Sequence, residues 1–319
     1  MGPTVGGMSE QTLFHGKARA YADARPDYPA AAVDYIGSMI AEGSVVAEVG
    51  AGTGKFTVPI ARYGGGVGDG RGDAGGNGVD GRADGPAKAR RRYEIRAVEP
   101  DADMRTALIE ATRPYANVTV VDGSAEHTTL PDASVDAVVC AQALHWFDHD
   151  TFLAECRRIS RGRRLLLVSI YNVTSFDSAM TIGDAAGVGD AVTNAAVTAG
   201  IGGAAAAADA ASPGNESHDS QGLTPEEMHE VAGVSGRHFR ETADEFFHQP
   251  TIRRFPNPIH YTRDAWRAYM DSHSHSPLPT DPIYPAFRAQ VDAIFDDRSV
   301  DGILTDDNVT MIASETLDV

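Results

Sequence analysis

The chain has 319 residues, a hydrophobic content of 42% and a formal net charge of −18. This length and composition allow one large α/β domain, or two small ones, with a substantial core. The negative charge argues against a nucleic-acid partner, because such binding depends on Lys and Arg that neutralise phosphates. No uninterrupted run of about 18 apolar residues is present, so the sequence predicts no membrane partner.

The cysteine content and the N-terminus indicate a compartment. The two cysteines, Cys140 and Cys156, are too few for a disulfide scaffold and lack the spacing of metal ligands, which fits a reducing environment and predicts no metal site. Residues 1–11 are polar and rich in glycine. A secretion signal would instead have a charged region followed by an apolar one. We therefore expect a cytoplasmic protein, and the sequence leaves its oligomeric state open.

The first ordered elements in the chain are predicted to be two short helices. The segment FHGKARAYADARPDYP over residues 14–29 has a helical pattern that stops at two prolines, since proline interrupts a helix. A second helix is predicted over residues 30–41. We expect residues 1–41 to form an N-terminal helical cap, followed by one domain over residues 42–319.

The stretch VVAEVGAGTGKF over residues 45–56 predicts a buried strand, a tight turn and the start of a helix. Glycines suit such a turn because they accept positive φ and let a ligand lie against the backbone. A GxxxxGK[ST] phosphate loop would need Gly at Val49 and Ser or Thr at Phe56. The dinucleotide pattern GxGxxG would need its third glycine at Lys55 rather than at Gly54. With both of these patterns excluded, the stretch is described by the pattern E-x-G-x-G-x-G, which begins at Glu48.

A second acidic residue follows the next predicted strand. Residues 64–92 are dominated by glycine and charged residues and are expected to form a flexible surface insertion, because they cannot bury enough apolar area to offset their ordering entropy. The alternating strand YEIRAVEPD then ends near Glu99. When the insertion is subtracted, Glu99 lies about 20 residues after Gly50, the offset of a ribose-binding acid. A carboxylate there can accept hydrogen bonds from both ribose hydroxyls and favours a nucleoside-bearing ligand.

The following elements continue the alternation of strand and helix. A helix is predicted over residues 103–113, strands over 118–121, 137–140 and 164–171, and a helix over 151–161. The octet AQALHWFD over residues 141–148 follows the fourth strand directly. Ligands of open α/β sheets bind beyond the carboxyl ends of the strands, so residues 142–146 should face the ligand.

These motifs resemble the class I S-adenosylmethionine (SAM)-dependent methyltransferases. The octet, in the form AQAxHWF, and the F-x-x-x-A-x-x-Y-x-x-x-R-P-x-Y-P spacing of the N-terminal segment resemble the subgroup that includes trans-aconitate methyltransferase-like enzymes, the methyltransferase type 11 family. The resemblance implies an α/β fold of the Rossmann-like SAM-dependent methyltransferase type, with a seven-stranded, mostly parallel sheet and helices on both faces.

The resemblance also implies the ligands of the cofactor, S-adenosylmethionine. The acid before the loop would lie near the amino-acid end of the cofactor, and the glycine backbone would pass under its methionine and ribose portions. Ser124 and the backbone of Ala125 would meet the adenine edge, although many members have Asp at the Ser124 position. The predicted cofactor-binding residues are Glu48, Gly50, Gly52, Gly54, Glu99, Ser124, Ala125 and Gln142.

The predicted acceptor side combines the cap with the octet. His145 is expected to orient the methyl acceptor or to act as its base, and Tyr21 and Arg25 are expected to supply a hydroxyl and a cation. The alternatives are a structural histidine and a helix packed by its aromatic residues, with Arg25 in a surface salt bridge.

The C-terminal half is predicted with less regular elements. A second flexible insertion is expected over residues 175–222, and Thr224 and Pro225 predict a helix start. A strand within residues 246–261 should be broken near Pro256 and Pro258. Helices over 263–272 and 285–295 would form a helical excursion, residues 262–300, and residues 309–313 an antiparallel last strand.

The sequence therefore predicts an enzyme that transfers the methyl group of SAM to a small-molecule acceptor, which would be a carboxylate, hydroxyl or amine. Two other classes of protein stay open. A nicotinamide-dependent Rossmann oxidoreductase would share the sheet and the ribose acid, but it should have glycine at position 55. A non-catalytic SAM-binding scaffold would retain the cofactor loop without acting on an acceptor.

Overall fold

A computed structural model describes residues 24–65, 93–174, 176, 233–273 and 276–319. Several predictions fall outside these residues. They concern Tyr21, most of the N-terminal cap, nearly all of both predicted insertions, and the helix expected to start at Thr224 and Pro225.

Nine strands alternate with helices in the described residues. Their bounds are β1 Val45–Val49, β2 Glu94–Val98, β3 Val118–Val121, β4 Ala137–Ala141, β5 Arg164–Val173, β6 Thr251–Pro256, β7 Ile259–Tyr261, β8 Leu304–Asp306 and β9 Val309–Asp318. Seven of them form one sheet in the order β3-β2-β1-β4-β5-β9-β6. Strands β1 to β5 pair in parallel, whereas β9 is antiparallel to both β5 and β6. The last strand is thus antiparallel and longer than its predicted span.

The helices are α1 Ala30–Met39, α2 Thr57–Tyr63, α3 Ala102–Thr112, α4 His149–Ile159, α5 Gly233–Phe246, α6 Arg263–Asp271 and α7 Tyr284–Arg298. The first five cover the two faces of the large sheet. One core joins α1, α2 and α3 to the sheet through residues such as Ile36, Ile60 and Leu108. The opposite core joins α4 and α5 through Phe152 and Phe246.

The residues of β1 show why this strand occupies the centre of the sheet. All five of them are buried, as expected for a strand that is covered on both faces. Val46 packs in the core of α1, while Val45 and Val49 pack in the opposite core, which follows the alternation of side chains along a strand. The sheet order and the helices on both faces confirm the predicted Rossmann-like fold class.

A helix cap fixes the chain just after β2. The Asp101 carboxylate accepts hydrogen bonds from the backbone N–H groups of Asp103 (2.9 Å) and Met104 (2.8 Å) at the start of α3. Such caps satisfy N–H groups that have no partner within the helix. The cap therefore holds the strand-to-helix turn that follows Glu99 in one conformation.

The C-terminal excursion forms a smaller core of its own. Strands β7 and β8 make a separate two-stranded sheet, beside which α6 and α7 pack around the fully buried Trp266. The Trp266 Nε1–H group donates to the Val291 carbonyl oxygen at 2.9 Å. Phe176, which falls in the second predicted insertion, contributes its ring to this core, 5.6 Å from the Trp266 ring.

The single strand predicted within residues 246–261 is two strands. Strand β6 joins the large sheet and β7 pairs with β8 instead. The break lies at Asn257 and Pro258, directly after Pro256 ends β6, because proline lacks the N–H group that a continuing ladder requires. None of the helices in the described ranges is long and apolar enough to cross a membrane.

Candidate functional site

The turn after β1 has the backbone conformation that its glycines predict. Gly50, Gly52 and Gly54 have φ angles of 74°, 58° and 91°, a region that favours glycine. The Gly50 N–H group donates to the Val98 carbonyl oxygen at 3.0 Å. The Gly52 N–H group donates to Glu99 Oε2 at 2.7 Å. The turn is thus tied to the end of β2.

The three glycines differ in what surrounds them. A Cβ on Gly50 would lie 2.6 Å from the Ala143 Cβ, and one on Gly54 would lie 3.0 Å from Leu108 Cδ1, whereas one on Gly52 would meet nothing within 4 Å. Packing against the protein explains the first and third glycines. Only at Gly52 does the backbone face open space, which is where a ligand can approach it closely.

Glu48 is a buried acid beside this turn. Its side chain is 1% exposed, and neither of its oxygens has a hydrogen-bond partner among the described residues. Burial raises its pKa to about 8, and the Glu99 charge adds to the shift. The nearby Thr57 hydroxyl opposes the shift, although its position is not that of a hydrogen-bond partner. A buried polar group without a partner is costly, so a cationic or hydrogen-bonding ligand group would stabilise this carboxyl.

Glu99 is the second acid, at the end of the neighbouring strand. Its Oε2 accepts the Gly52 N–H and its Oε1 accepts the Asp101 N–H at 2.9 Å. Burial raises its pKa, and the two N–H groups oppose that shift. A carboxylate has about four lone-pair sites, so both oxygens can still accept hydrogen bonds from a ligand. The acid that the sequence predicted about 20 residues after Gly50, once the insertion is subtracted, is therefore in contact with the glycine turn.

The remaining predicted cofactor residues lie on turns that follow β3 and β4. The Ser124 hydroxyl accepts the His127 N–H at 3.2 Å, and this bond stabilises the turn but leaves the hydroxyl proton available. Ala125 is 5% exposed and packs in the core of α4 and α5. Gln142 has a φ of 53°, and its N–H group donates to the Ile170 carbonyl oxygen at 2.9 Å. The assignment of these three residues to the cofactor stays a prediction.

His145 occupies a short 3-10 turn, Leu144–Trp146, directly after β4. Its Nδ1 lies 2.8 Å from the Tyr171 hydroxyl, and its backbone N–H donates to the same oxygen at 3.1 Å. The His238 ring of α5 stacks on the His145 ring with centroids 4.6 Å apart. Burial, with smaller contributions from His238 and Arg25, lowers the pKa of His145 to about 3.

Arg25 lies on the opposite wall of the same region. Its Nη2 donates to the Ser272 carbonyl oxygen at 3.5 Å, and its guanidinium lies 5.7 Å from the centre of the Tyr269 ring. Arg25 is half-buried and lies against α6, and its role towards the acceptor stays a prediction. Tyr21 lies outside the described residues, so its role stays a prediction.

Two asparagines that the sequence did not indicate hold the segment next to Arg25. Asn172 Nδ2 lies 3.4 Å from the carbonyl oxygens of both Pro26 and Asp27, and Asn257 Nδ2 donates to the Asp27 oxygen at 2.9 Å. The Asp27 side chain pairs with Lys55 at 2.9 Å. The segment therefore connects the glycine turn with the ends of β5 and β6. No local pattern could have revealed these contacts, because the partners are far apart in the chain.

A separate cavity of about 720 Å³ lies on the outer side of the glycine turn. Its lining comes from the segment before α1, from α1, α2 and α3, and from residues 53–55 of the glycine turn. Glu48, Glu99 and His145 do not line it, so it is distinct from the region between the two acids and the turn after β4. In the described ranges, no group of three His, Cys, Asp or Glu residues could hold a metal ion.

Comparisons with known proteins agree with this geometry. Residues 76–167 match the family model Methyltransf_11, which is described as a methyltransferase domain. A Schizosaccharomyces pombe protein named "Uncharacterized methyltransferase-like" is 33% identical over 157 residues, 48% of this chain and 50% of that protein. A Mycobacterium tuberculosis protein named "Probable S-adenosylmethionine-dependent methyltransferase" is 38% identical over 84 residues, 26% of this chain and 30% of that protein.

The matched part of the chain is thus similar to a methyltransferase domain and to proteins named as methyltransferases, among them a probable SAM-dependent one. The chain spans about half the length of the curated relatives that it matches. The family match contains Glu99, Ser124, Ala125, Gln142 and His145 but begins after the glycine turn, so Glu48 and its glycines rest on the geometry alone.

A solved structure gives a weaker comparison. A SAM-dependent methyltransferase from Aquifex aeolicus is 18% identical, with a TM-score of 0.36, and the alignment covers 49% of this chain and 72% of that one. Similarity at this level supports no argument about the site. The fold follows from the strand order of the chain itself.

Proposed function

We propose that this protein transfers the methyl group of SAM to a small-molecule acceptor. The observation that carries the proposal is the pair of buried acids at the ends of β1 and β2. Glu99 is bonded to the turn at Gly52, where the backbone faces open space, and Glu48 is buried without a partner among the described residues. This arrangement suits a ligand with a ribose and a cationic group.

The residues fit the cofactor in a simple division of roles. Glu48 would meet the amino-acid end, Gly50, Gly52 and Gly54 would run beneath the cofactor, and Glu99 would accept the ribose hydroxyls. Ser124, Ala125 and Gln142 would line the remaining side. When bound, SAM supplies a methyl group on sulfur that is already electrophilic. The protein must then align the acceptor and exclude water.

The acceptor would bind between the turn after β4 and the N-terminal segment. A carboxylate acceptor needs no base, whereas a hydroxyl or an amine must lose a proton. His145 would orient the acceptor or take this proton, with Arg25 and Tyr21 beside it. The positions of His145 and Arg25, which influence each other electrostatically, support this site.

The finer assignments are part of the same proposal. We place the chain in the subgroup with the AQAxHWF motif, the trans-aconitate methyltransferase-like enzymes, on the basis of residues 141–147. A cytoplasmic location is supported by two buried free cysteines, and the net charge of −18 argues against a nucleic-acid acceptor. The N-terminal cap, residues 1–41, the insertions, 64–92 and 175–222, and the excursion, 262–300, complete the proposed layout.

A thermal-shift comparison of SAM with NAD tests the cofactor. We expect stabilisation by SAM and none by NAD, because Lys55 stands where the dinucleotide loop requires glycine. Stabilisation by NAD alone would contradict the proposal and favour the oxidoreductase.

Transfer is tested by incubating the protein with SAM that carries an isotopically labelled methyl group and a broad metabolite extract. Mass spectrometry should find a small molecule that gains the label, while heat-denatured protein provides the control. If SAM binds but no labelled product forms in any extract, the protein is a SAM-binding scaffold and not an enzyme of this kind.

A further inference from the structure

The Tyr171 hydroxyl makes two contacts with one residue, His145. It accepts the His145 backbone N–H at 3.1 Å and lies 2.8 Å from His145 Nδ1. Tyr171 is 1% exposed, near the end of β5. The same oxygen thus fixes both the main chain and the ring of the residue that follows β4.

The positions of the protons follow from these contacts. A phenol has one proton to donate, and burial raises the pKa of Tyr171 well above its usual value, so the hydroxyl keeps that proton. Its oxygen already accepts the backbone N–H. If His145 Nδ1 also carried a proton, the hydroxyl proton would have to turn elsewhere. Donation from Tyr171 to an unprotonated Nδ1 satisfies both groups and leaves the ring proton on Nε2.

Thr242 is the neighbour that could offer an alternative. It lies close enough to Tyr171 to influence its pKa. Its hydroxyl, however, is directed to the carbonyl oxygens of His238 and Phe239, at 2.9 and 3.0 Å, within α5. The contact with Thr242 lowers the pKa of Tyr171 as a hydrogen bond would, but the 2.8 Å between the Tyr171 hydroxyl and His145 Nδ1 is the distance of a well-formed hydrogen bond, so we take Nδ1 as the acceptor of the phenol proton.

The surroundings of His145 also favour a neutral ring. The His238 ring stacks on it, at an interplanar angle of 16°, and Arg25 lies within electrostatic range. Burial opposes protonation of this imidazole, and a charge on it would lie against a second imidazole ring and near the Arg25 guanidinium. A neutral ring with its proton on Nε2 can donate a hydrogen bond there but has no lone pair at that atom with which to accept a proton.

We propose that Tyr171 is a positioning residue that holds His145 as a neutral Nε2–H donor, so that His145 orients the methyl acceptor and does not act as its base. This inference rests on the proposed function and narrows the two roles that His145 could have there. The acceptor atom that meets His145 must then offer a lone pair to the Nε2–H group.

The tautomer can be measured without any substrate. Long-range ¹H–¹⁵N NMR spectra of the full chain with ¹⁵N-labelled histidine distinguish the two ring nitrogens, and His145→Asn identifies the signal. We expect the Nε2–H tautomer in the wild type at pH 7. The Nδ1–H tautomer, with the Tyr171 proton turned towards Thr242, would overturn the proposal.

Tyr171→Phe removes only the hydroxyl. We expect mixed tautomers for His145, a pKa closer to the usual value, and a lower kcat for methyl transfer with an unchanged KM for SAM. Tyr93→Phe is the matched control, because the Tyr93 hydroxyl is also buried and donates to the Ile60 carbonyl oxygen at 3.0 Å, far from His145 in the fold. An unchanged His145 signal in Tyr171→Phe would also overturn the proposal.

Calorimetric titration with SAM separates the two proposals. If the wild type shows the Nε2–H tautomer but binds no SAM, the ring is positioned as argued and the proposed function is wrong. If SAM binds and His145 has the other tautomer, the proposed function stands and the donor role is wrong.

Discussion

The two sides of the candidate site are built in different ways. On the cofactor side, Glu48 and Glu99 lie at the ends of two adjacent parallel strands, and a direct hydrogen bond joins Glu99 to Gly52 in the turn between them. On the acceptor side, the contacts come from five separated parts of the chain: the N-terminal segment, the turn after β4, the end of β5, α5 and α6. A site made from adjacent strand ends leaves a local pattern in the sequence, whereas one assembled by packing leaves almost none.

Burial shifts the pKa values of ionisable groups on both sides of the site, in opposite directions for the acids and for the histidine. It raises the pKa values of the carboxyl groups Glu48 and Glu99 and lowers that of the imidazole of His145. In each case the neutral form is favoured, because a buried charge loses hydration. Ligands that compensate these groups should therefore bind with measurable linkage to pH.

The largest effect should come from Glu99→Ala. This change removes the acceptor of the Gly52 N–H and the predicted ribose ligand, and hydrogen bonds to charged groups contribute about 1.5–3 kcal/mol each. We expect the affinity for SAM, measured by calorimetric titration, to fall by about 100-fold or more. Glu94→Ala is the control on the same strand, since the Glu94 side chain is exposed and pairs with Arg96. Equal losses in both variants would place the cofactor elsewhere.

A smaller effect is expected from Gly52→Ala. The new methyl group would occupy the open space over the turn and would impose about 1–2 kcal/mol of backbone strain. Gly43→Ala is matched to it, because Gly43 has a φ of 83° and also has nothing within 4 Å of its Cβ position. Both variants should lose similar thermal stability, while only Gly52→Ala should lose SAM affinity, by about 10-fold. Unchanged SAM binding in Gly52→Ala would show that no ligand lies against this backbone.

On the acceptor side, Arg25→Ala should separate the two functions of the site. We expect SAM affinity to stay within about 2-fold of the wild type, while methyl transfer to the acceptor found in the extract falls by about 10-fold, equivalent to roughly 1.4 kcal/mol. Arg298→Ala is the control, because the Arg298 guanidinium lies over the Phe176 ring at 5.3 Å, in the C-terminal core. A loss of SAM affinity in Arg25→Ala would mean that Arg25 belongs to the cofactor side.

The smallest effect concerns the pH dependence of stability. The pKa of Glu48 is raised from 4.5 to about 8, so the folded state binds a proton that the unfolded state releases. Its stabilising contribution is complete below pH 4.5 and is lost as the pH rises to about 8. In Glu48→Gln, the melting temperature should fall less steeply between pH 5 and 8, by a few degrees. Glu99 titrates in the same direction and should leave some slope. Parallel melting curves for the variant and the wild type would show that Glu48 is ionised in the folded protein.

Much of the cofactor side could be predicted from the sequence. Strand β1 is an uninterrupted apolar run, the glycine turn has one consistent description, and Glu99 follows at a defined offset once the insertion is subtracted. Which glycine packs against the protein and which one faces open space could not be predicted. Gly50 lies against Ala143 and Gly54 against Leu108, while Gly52 faces open space. These surroundings depend on α3 and on the turn after β4, which packing brings close to the glycine turn.

Periodicity and motif spacing alone determined the order of strands and helices as far as β5, the position of the two acids, and the segment after β4 that carries His145. These features depend on near neighbours in the chain, and hydrophobic pattern and turn chemistry encode them directly. Only the tertiary structure decided that Tyr171 and His238 meet His145, that Asn172 and Asn257 hold the backbone beside Arg25, and that β7 leaves the large sheet. The reason is physical: such contacts join residues tens to hundreds of positions apart, and the packing of whole elements sets their geometry.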